Sequence, residues 1–127
     1  MKKENFFENR YLEFTIKDNL LYVKYEDGAI IDMEAAKIIL KDRLEFQRGE
    51  NYATFADVKS AKYWTKDARE FQSSEYNNEG IKALAMILSS HAQKIVVKFY
   101  LFFNKPNIPT NGFLDEKEAL SWLLQYK

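Results

Sequence analysis

The succession of apolar and polar residues predicts an α/β domain with a mixed, mostly parallel sheet, an N-terminal antiparallel hairpin and about four helices. Three features of the 127-residue chain carry that expectation. Two alternating segments sit side by side near the start, a nearly continuous apolar run fills 81–88, and helix-spaced apolar stripes recur between the strand-like stretches. Alternation of strand and helix favours parallel strands joined by right-handed crossovers.

Within 11–17, Leu12, Phe14 and Ile16 share one face and Glu13, Thr15 and Lys17 the other, which is the pattern of a half-buried strand. Asp18-Asn19 supplies a tight turn. Leu21, Val23 and Tyr25 then alternate with Tyr22 and Lys24, completing a hairpin that Glu26-Asp27-Gly28 ends. Asp32 is placed to cap a first helix, in which Met33, Ala36, Leu40 and Leu44 recur at spacings of three and four, Ile39 widens the stripe and Gly49 closes it. The stretch 52–58 is short and rich in β-formers, so it reads as a strand leading into a loop over 59–64.

A second helix begins at Thr65 as N-cap, with Asp67 in the first turn and Ala68 and Phe71 facing inward, and frays near Asn77-Asn78. The run 81–88 has the pattern of a central strand covered on both faces, which implies helices above and below it. Ser90 and Gln93 have the spacing of a capping box and start a third helix. Ile95, Val96, Val97, Phe99, Tyr100, Phe102 and Phe103 suit a strand as well, so propensity alone points both ways there. Lys105-Pro106 and Ile108-Pro109 mark an extended loop, 112–114 a short strand, and Asp115 with Glu118 the start of a last helix that buries Leu120, Trp122, Leu123 and Leu124.

Lysine plus arginine equals aspartate plus glutamate at 19 each, so no net field draws the chain toward nucleic acid or anionic lipid. The absence of cysteine excludes disulfides, zinc thiolate sites and cysteine nucleophiles, and fits a reducing, cytoplasmic setting. Residues 1–10 lack the apolar stretch of an export signal, and the apolar run at 95–103 is broken by Lys98 and too short to cross a bilayer.

The segment Phe103-Asn104-Lys105-Pro106, then Pro109-Thr110, Phe113 and Asp115-Glu116-Lys117-Glu118-Ala119-Leu120-Ser121-Trp122-Leu123, resembles the C-terminal end of small bacterial STAS/SpoIIAA-like proteins. The likeness extends loosely over 13–126. It implies one STAS/SpoIIAA-like domain over 11–127 behind an N-terminal extension at 1–10, with 92–103 helical. It also implies a non-enzymatic protein-interaction or regulatory module acting on an unknown protein partner. STAS domains are often switched by phosphorylation of a Ser or Thr after the third strand, and the nearest position here is Thr65. That residue lies in Tyr63-Trp64-Thr65-Lys66 and not in an Asp-Ser-Ser-Gly-like turn. The fold is similar to that of lipid-carrying CRAL-TRIO domains, which implies the alternative of a small apolar-ligand or lipid-binding protein.

Thr65 is therefore the candidate phosphoacceptor, with Ser60 behind it, and an ordinary N-cap is the reading its residue type favours. His91 is the sole histidine and no spacing links it to a nucleophile or ligand set, so no catalytic residue, metal site or cofactor is expected. Lys59, Lys62 and Lys66 with Tyr63 and Trp64 read as a solvated loop in preference to a nucleic-acid patch. The aromatics of the third helix exceed what one inward face needs. Tyr100 and Phe102 are taken as outward, forming a homodimer interface or an apolar-ligand surface, with Phe99 and Phe103 left to the core.

Overall fold

A computed structural model describes residues 5–127 of the chain. The hairpin forms as the alternation requires: β2 (Leu12–Lys17) and β3 (Leu20–Tyr25) pair antiparallel across Asp18 and Asn19, whose φ angles are 53° and 63°. Aspartate and asparagine tolerate this left-handed backbone best among non-glycine residues, and two such residues in a row make the turn that matches strand twist.

A further strand, β1 (Phe6–Glu8), pairs antiparallel with the outer side of β2, and the Phe7 ring stacks on Phe14 at 6.0 Å. The sheet thus begins within the segment that the alternation alone sets before the domain. Three residues are too few to display a period. Lys2, Lys3 and Glu4 of that segment lie outside the described residues.

The chain continues through β4 (Ile30–Ile31), α1 (Met33–Gln47), β5 (Tyr52–Asp57), β6 (Tyr63–Trp64) and α2 (Lys66–Gln72). It ends with β7 (Ile81–Ile87), α3 (His91–Phe103), β8 (Thr110–Phe113), α4 (Glu116–Leu123) and a short 3₁₀ turn, Leu124–Tyr126. The main sheet has the order β1-β2-β3-β5-β7-β8 and is parallel from β3 onward. This is the expected architecture: mixed and mostly parallel, with an N-terminal antiparallel hairpin and four helices.

Two local expectations are corrected. The loop over 59–64 contains β6, which pairs in parallel with β4 as a separate two-stranded ribbon, again too short to leave a periodic trace. The second helix stops at Gln72, well before Asn77-Asn78. There the Ser73 and Ser74 hydroxyls donate to the carbonyls of Glu70 and Phe71, competing with the backbone for the helix's last acceptors.

Alternation along each strand separates two cores. One face of the sheet carries Leu12, Phe14, Leu21, Val23, Tyr25 and Ala56 beneath α1. The opposite face carries Leu20, Ala53, Phe55, Ala83, Ala85 and Ile87, covered by Ala119 and Leu123 of α4. The third helix lies on the α1 side and differs from the others in burying none of its residues.

Candidate functional site

Beneath α3, on the α1 side of the sheet, lies a cavity of about 670 Å³, within the range of small-molecule sites. Its floor is built by the strand residues that alternation aims away from α4: Thr54 and Ala56 from β5, Leu84 and Met86 from β7. Leu84 and Met86 stay only partly buried, although their neighbours Ala83 and Ala85 are fully covered from below. Its roof is α3, started by the Ser90 hydroxyl, which accepts from the Gln93 amide at 3.1 Å. Val96, Phe99 and Phe103 of that helix line the cavity yet remain 65%, 63% and 74% exposed. An apolar residue that lines a space without filling it leaves van der Waals contacts unmade.

Polar groups from several elements line the cavity, and one buried set of them centres on Arg43 of α1. Ala36, Ile39 and Leu40 of α1 are buried as their spacing requires, whereas Met33 and Leu44 are only partly covered. The buried stripe continues instead through Arg43 and Gln47, which are 4% and 2% exposed. The Arg43 guanidinium donates from Nη1 to Gln47 Oε1 at 2.5 Å and from Nη2 to the Asn77 carbonyl at 2.6 Å. Gln47 is itself fixed, donating from Nε2 to the carbonyls of Glu50 and Gly80 at 2.8 and 2.9 Å. Gly80 has φ +83°, and a side chain there would meet Gln47 Nε2 at 3.0 Å, so this support needs glycine on both counts.

Both partners of Arg43 are neutral, and no ion pair of Arg43 within 4 Å is present among the described residues. Burial pushes the guanidinium down to about 10, opposed by the fields of Tyr25 and Glu79. Tyr25, also at the cavity wall, has its phenol pushed up to about 12 by burial, against the pull of Gln72, Arg43 and Trp64. At neutral pH the wall therefore presents a buried cation beside a neutral hydroxyl. The sequence reading missed Arg43, and the available signal was its place four residues after Ile39 and four before Gln47, on the apolar stripe itself.

Among the residues singled out from sequence, Tyr100 and Phe102 occupy different sides of α3. Tyr100 is half-buried, lines the cavity, and donates its hydroxyl to the Arg69 carbonyl, so it does not point outward. Phe102 is outward, 65% exposed, in edge contact with Phe103. Phe99 and Phe103 are not core residues. The reason is helical spacing: Ile95, Phe99, Phe102 and Phe103 share the exposed side of α3, opposite the partly buried Val97, Tyr100 and Leu101.

Thr65 is the N-cap of α2: its hydroxyl accepts from the Ala68 amide at 3.3 Å and donates to Asp67 Oδ1 at 2.5 Å. Ser60 sits in the turn before β6, and its carbonyl accepts from Gly28 at 2.8 Å. Lys59 and Lys66 each lie 3.9 Å from a carboxylate, of Asp57 and Glu70, while Lys62 is exposed. His91 is exposed on the first turn of α3. Away from the cavity, Glu8, Glu13 and Glu26 bring their carboxylates within 4.8 Å of one another at the hairpin edge, an exposed to half-buried acidic group that no other feature joins. No helix among the described residues is long and apolar enough to cross a membrane.

A search of curated proteins finds no match. Among solved structures, one similar chain is an uncharacterised protein of the DUF3478 family with a SpoIIAA-like fold, from Shewanella loihica PV-4. It aligns with a TM-score of 0.61 over 97% of this chain and 98% of its own, at 14% identity, a likeness that shows the fold. The profile of a domain of unknown function, DUF7793, matches residues 14–127 and so takes in the sheet from Phe14 onward, all four helices and the whole cavity wall. The chain belongs to the DUF7793 family.

Proposed function

We propose that this protein is a non-enzymatic binding module of the STAS-like kind whose cavity beneath α3 takes a small apolar molecule. The observation that carries the reading is a cavity of about 670 Å³, walled mostly by apolar side chains, under a helix with no buried residue. Filling such a space recovers about 25 cal/mol per Å² of apolar surface, for the ligand and for the lining alike. The absence of glycine-rich phosphate loops, nucleophile motifs and paired metal ligands from the sequence supports a binding role over catalysis.

Native mass spectrometry of freshly purified protein, followed by titration with the fluorescent apolar probe 1-anilinonaphthalene-8-sulfonate, tests this. Retained ligand or saturable probe binding is expected, and Met86→Trp, which fills the floor, should abolish the binding while leaving the circular dichroism spectrum intact. Probe binding that survives Met86→Trp, or a chain that is both empty and unable to bind, refutes the reading.

A second reading, contact with a protein partner or a second copy, is favoured by the outer side of α3, where Ile95 and Phe102 are 57% and 65% exposed. Sedimentation velocity distinguishes it. Self-association that Phe102→Glu removes, with the fold retained, would establish a homodimer face.

A further inference from the structure

We propose that the occupant of the cavity is an amphipathic carboxylate, an apolar chain or ring system whose acid group pairs with Arg43. The inference rests on the cavity being a ligand site, as proposed above, and adds the chemistry of the ligand's polar end.

The argument begins from an imbalance of charge. A guanidinium that is 4% exposed has lost most of its hydration, and ions so placed in proteins are paired or neutralised. At neutral pH Arg43 keeps its charge although burial pulls it down to about 10, and it has two neutral acceptors and no carboxylate within 4 Å among the described residues. Two of its five donors are engaged by Gln47 and Asn77, and the residue lines the cavity, so donors remain for a group entering from that side. Gln47, held by two backbone carbonyls, fixes the guanidinium before anything binds, which lowers the cost of ordering it at binding. The neutral Tyr25 hydroxyl stands on the same wall as a further donor for an anion. Away from that wall, Leu84 and Met86 of the strand floor and Val96 and Phe99 of the α3 roof offer apolar contact, beside the polar Thr54, Gln93 and Tyr100; of the cations that line the space, Arg43 is buried whereas Lys62 and Arg69 are exposed. One buried cation at the side of an apolar space matches a ligand with one anionic end and an apolar body.

Decanoate, 1-decanol and decyl phosphate, titrated calorimetrically into ligand-stripped protein, separate the possibilities. A charge-assisted pair is worth about 1.5–3 kcal/mol, so decanoate should bind wild type at least about tenfold more tightly than the alcohol of equal chain length. Arg43→Lys should keep part of that preference, and Arg43→Met should erase it, so that decanoate and decanol bind the variant alike. Should Arg43→Met fail to fold, carboxyl-labelled decanoate bound to wild type decides, because a carboxylate against Arg43 must titrate below the free acid by NMR. Equal binding of decanoate and decanol overturns the assignment of Arg43 and leaves the apolar cavity standing. Tighter binding of decyl phosphate than of decanoate overturns the carboxylate in favour of a phosphate headgroup. Failure of all three to bind overturns both this inference and the reading it rests on.

Discussion

The two faces of one sheet are covered in opposite ways. Toward α4, strands β5 and β7 present Ala53, Ala83 and Ala85, and the helix answers with Ala119 and Leu123, all with 0% exposure. Small side chains let the helix approach closely, and the layer closes at the density of a protein interior. Toward α3, the same strand β7 presents Leu84 and Met86, larger residues that would need a helix farther away and well packed against them. The helix is not packed against them as α4 is against the other face: only Val97 joins the core from α3, and the Tyr100 hydroxyl on the Arg69 carbonyl ties the helix to α2. Alternation within seven residues thus builds a solid wall below and a chamber above.

The sharpest way to break this comparison is to delete volume on each side. Leu123→Ala removes a fully buried side chain from the closed layer and should cost about 2–5 kcal/mol by urea denaturation. Val97→Ala, at a partly buried site beside existing space, should cost about 1 kcal/mol or less. Similar losses from the two would mean that α3 is packed as α4 is.

Adding volume should reverse the asymmetry. Ala85→Leu forces three extra carbon atoms into the closed α4 layer and should cost about 1–3 kcal/mol. Met86→Phe, one residue later on the same strand, grows into the cavity and should leave the urea midpoint within about 0.5 kcal/mol of wild type. A large loss from Met86→Phe would show that the space is not available to side chains.

Most of the fold was legible because its signals are local. The hairpin follows from period-two alternation around Asp18-Asn19, α3 from the Ser90 cap, and the doubly covered β7 from an apolar run too continuous for a half-exposed strand. Strands β1, β4 and β6 have two or three residues each and exist through pairing with distant partners, which no local pattern encodes. The site was less legible than the fold. The excess apolar character of α3 was readable, but its direction was not, because a helix rich in apolar residues all round carries little information about which side faces the sheet. Arg43 was hidden for a related reason: long charged side chains on helices are ordinarily solvated, and only the tertiary positions of Asn77 and Gly80 make a buried one tenable.

The next expected effect concerns Thr65, the N-cap that starts α2. Replacing its hydroxyl removes an acceptor for the Ala68 amide, and Thr65→Ala should cost about 1 kcal/mol. Thr65→Asp keeps a capping oxygen and should retain most of the stability. Phosphate on Thr65 would lie beside the Asp67 carboxylate, to which the hydroxyl now donates, so repulsion sets itself against the helix terminus. A partner interaction abolished by Thr65→Asp but preserved by Thr65→Ala, at equal folded fraction, would establish a phosphoswitch there.

The smallest effect on global stability is expected at the tether of the roof itself. Tyr100→Phe keeps the ring at the cavity wall and removes only the hydroxyl that donates to Arg69. A neutral hydrogen bond of this kind is worth about 1 kcal/mol, and because α3 buries none of its residues, that loss should fall on local opening of the helix. Amide hydrogen exchange is the measurement that separates local from global opening. Protection across His91–Phe103 should drop about fivefold, while amides of α4 and of β5 exchange as in wild type and the urea midpoint does not move. Leu123→Ala should do the reverse, lowering protection throughout the sheet in proportion to its global cost. If Tyr100→Phe instead lowers protection in α4 as much as in α3, the two helices open as one unit, the chamber is sealed as firmly as the wall beneath it, and the contrast between the faces is one of geometry without a difference in stability.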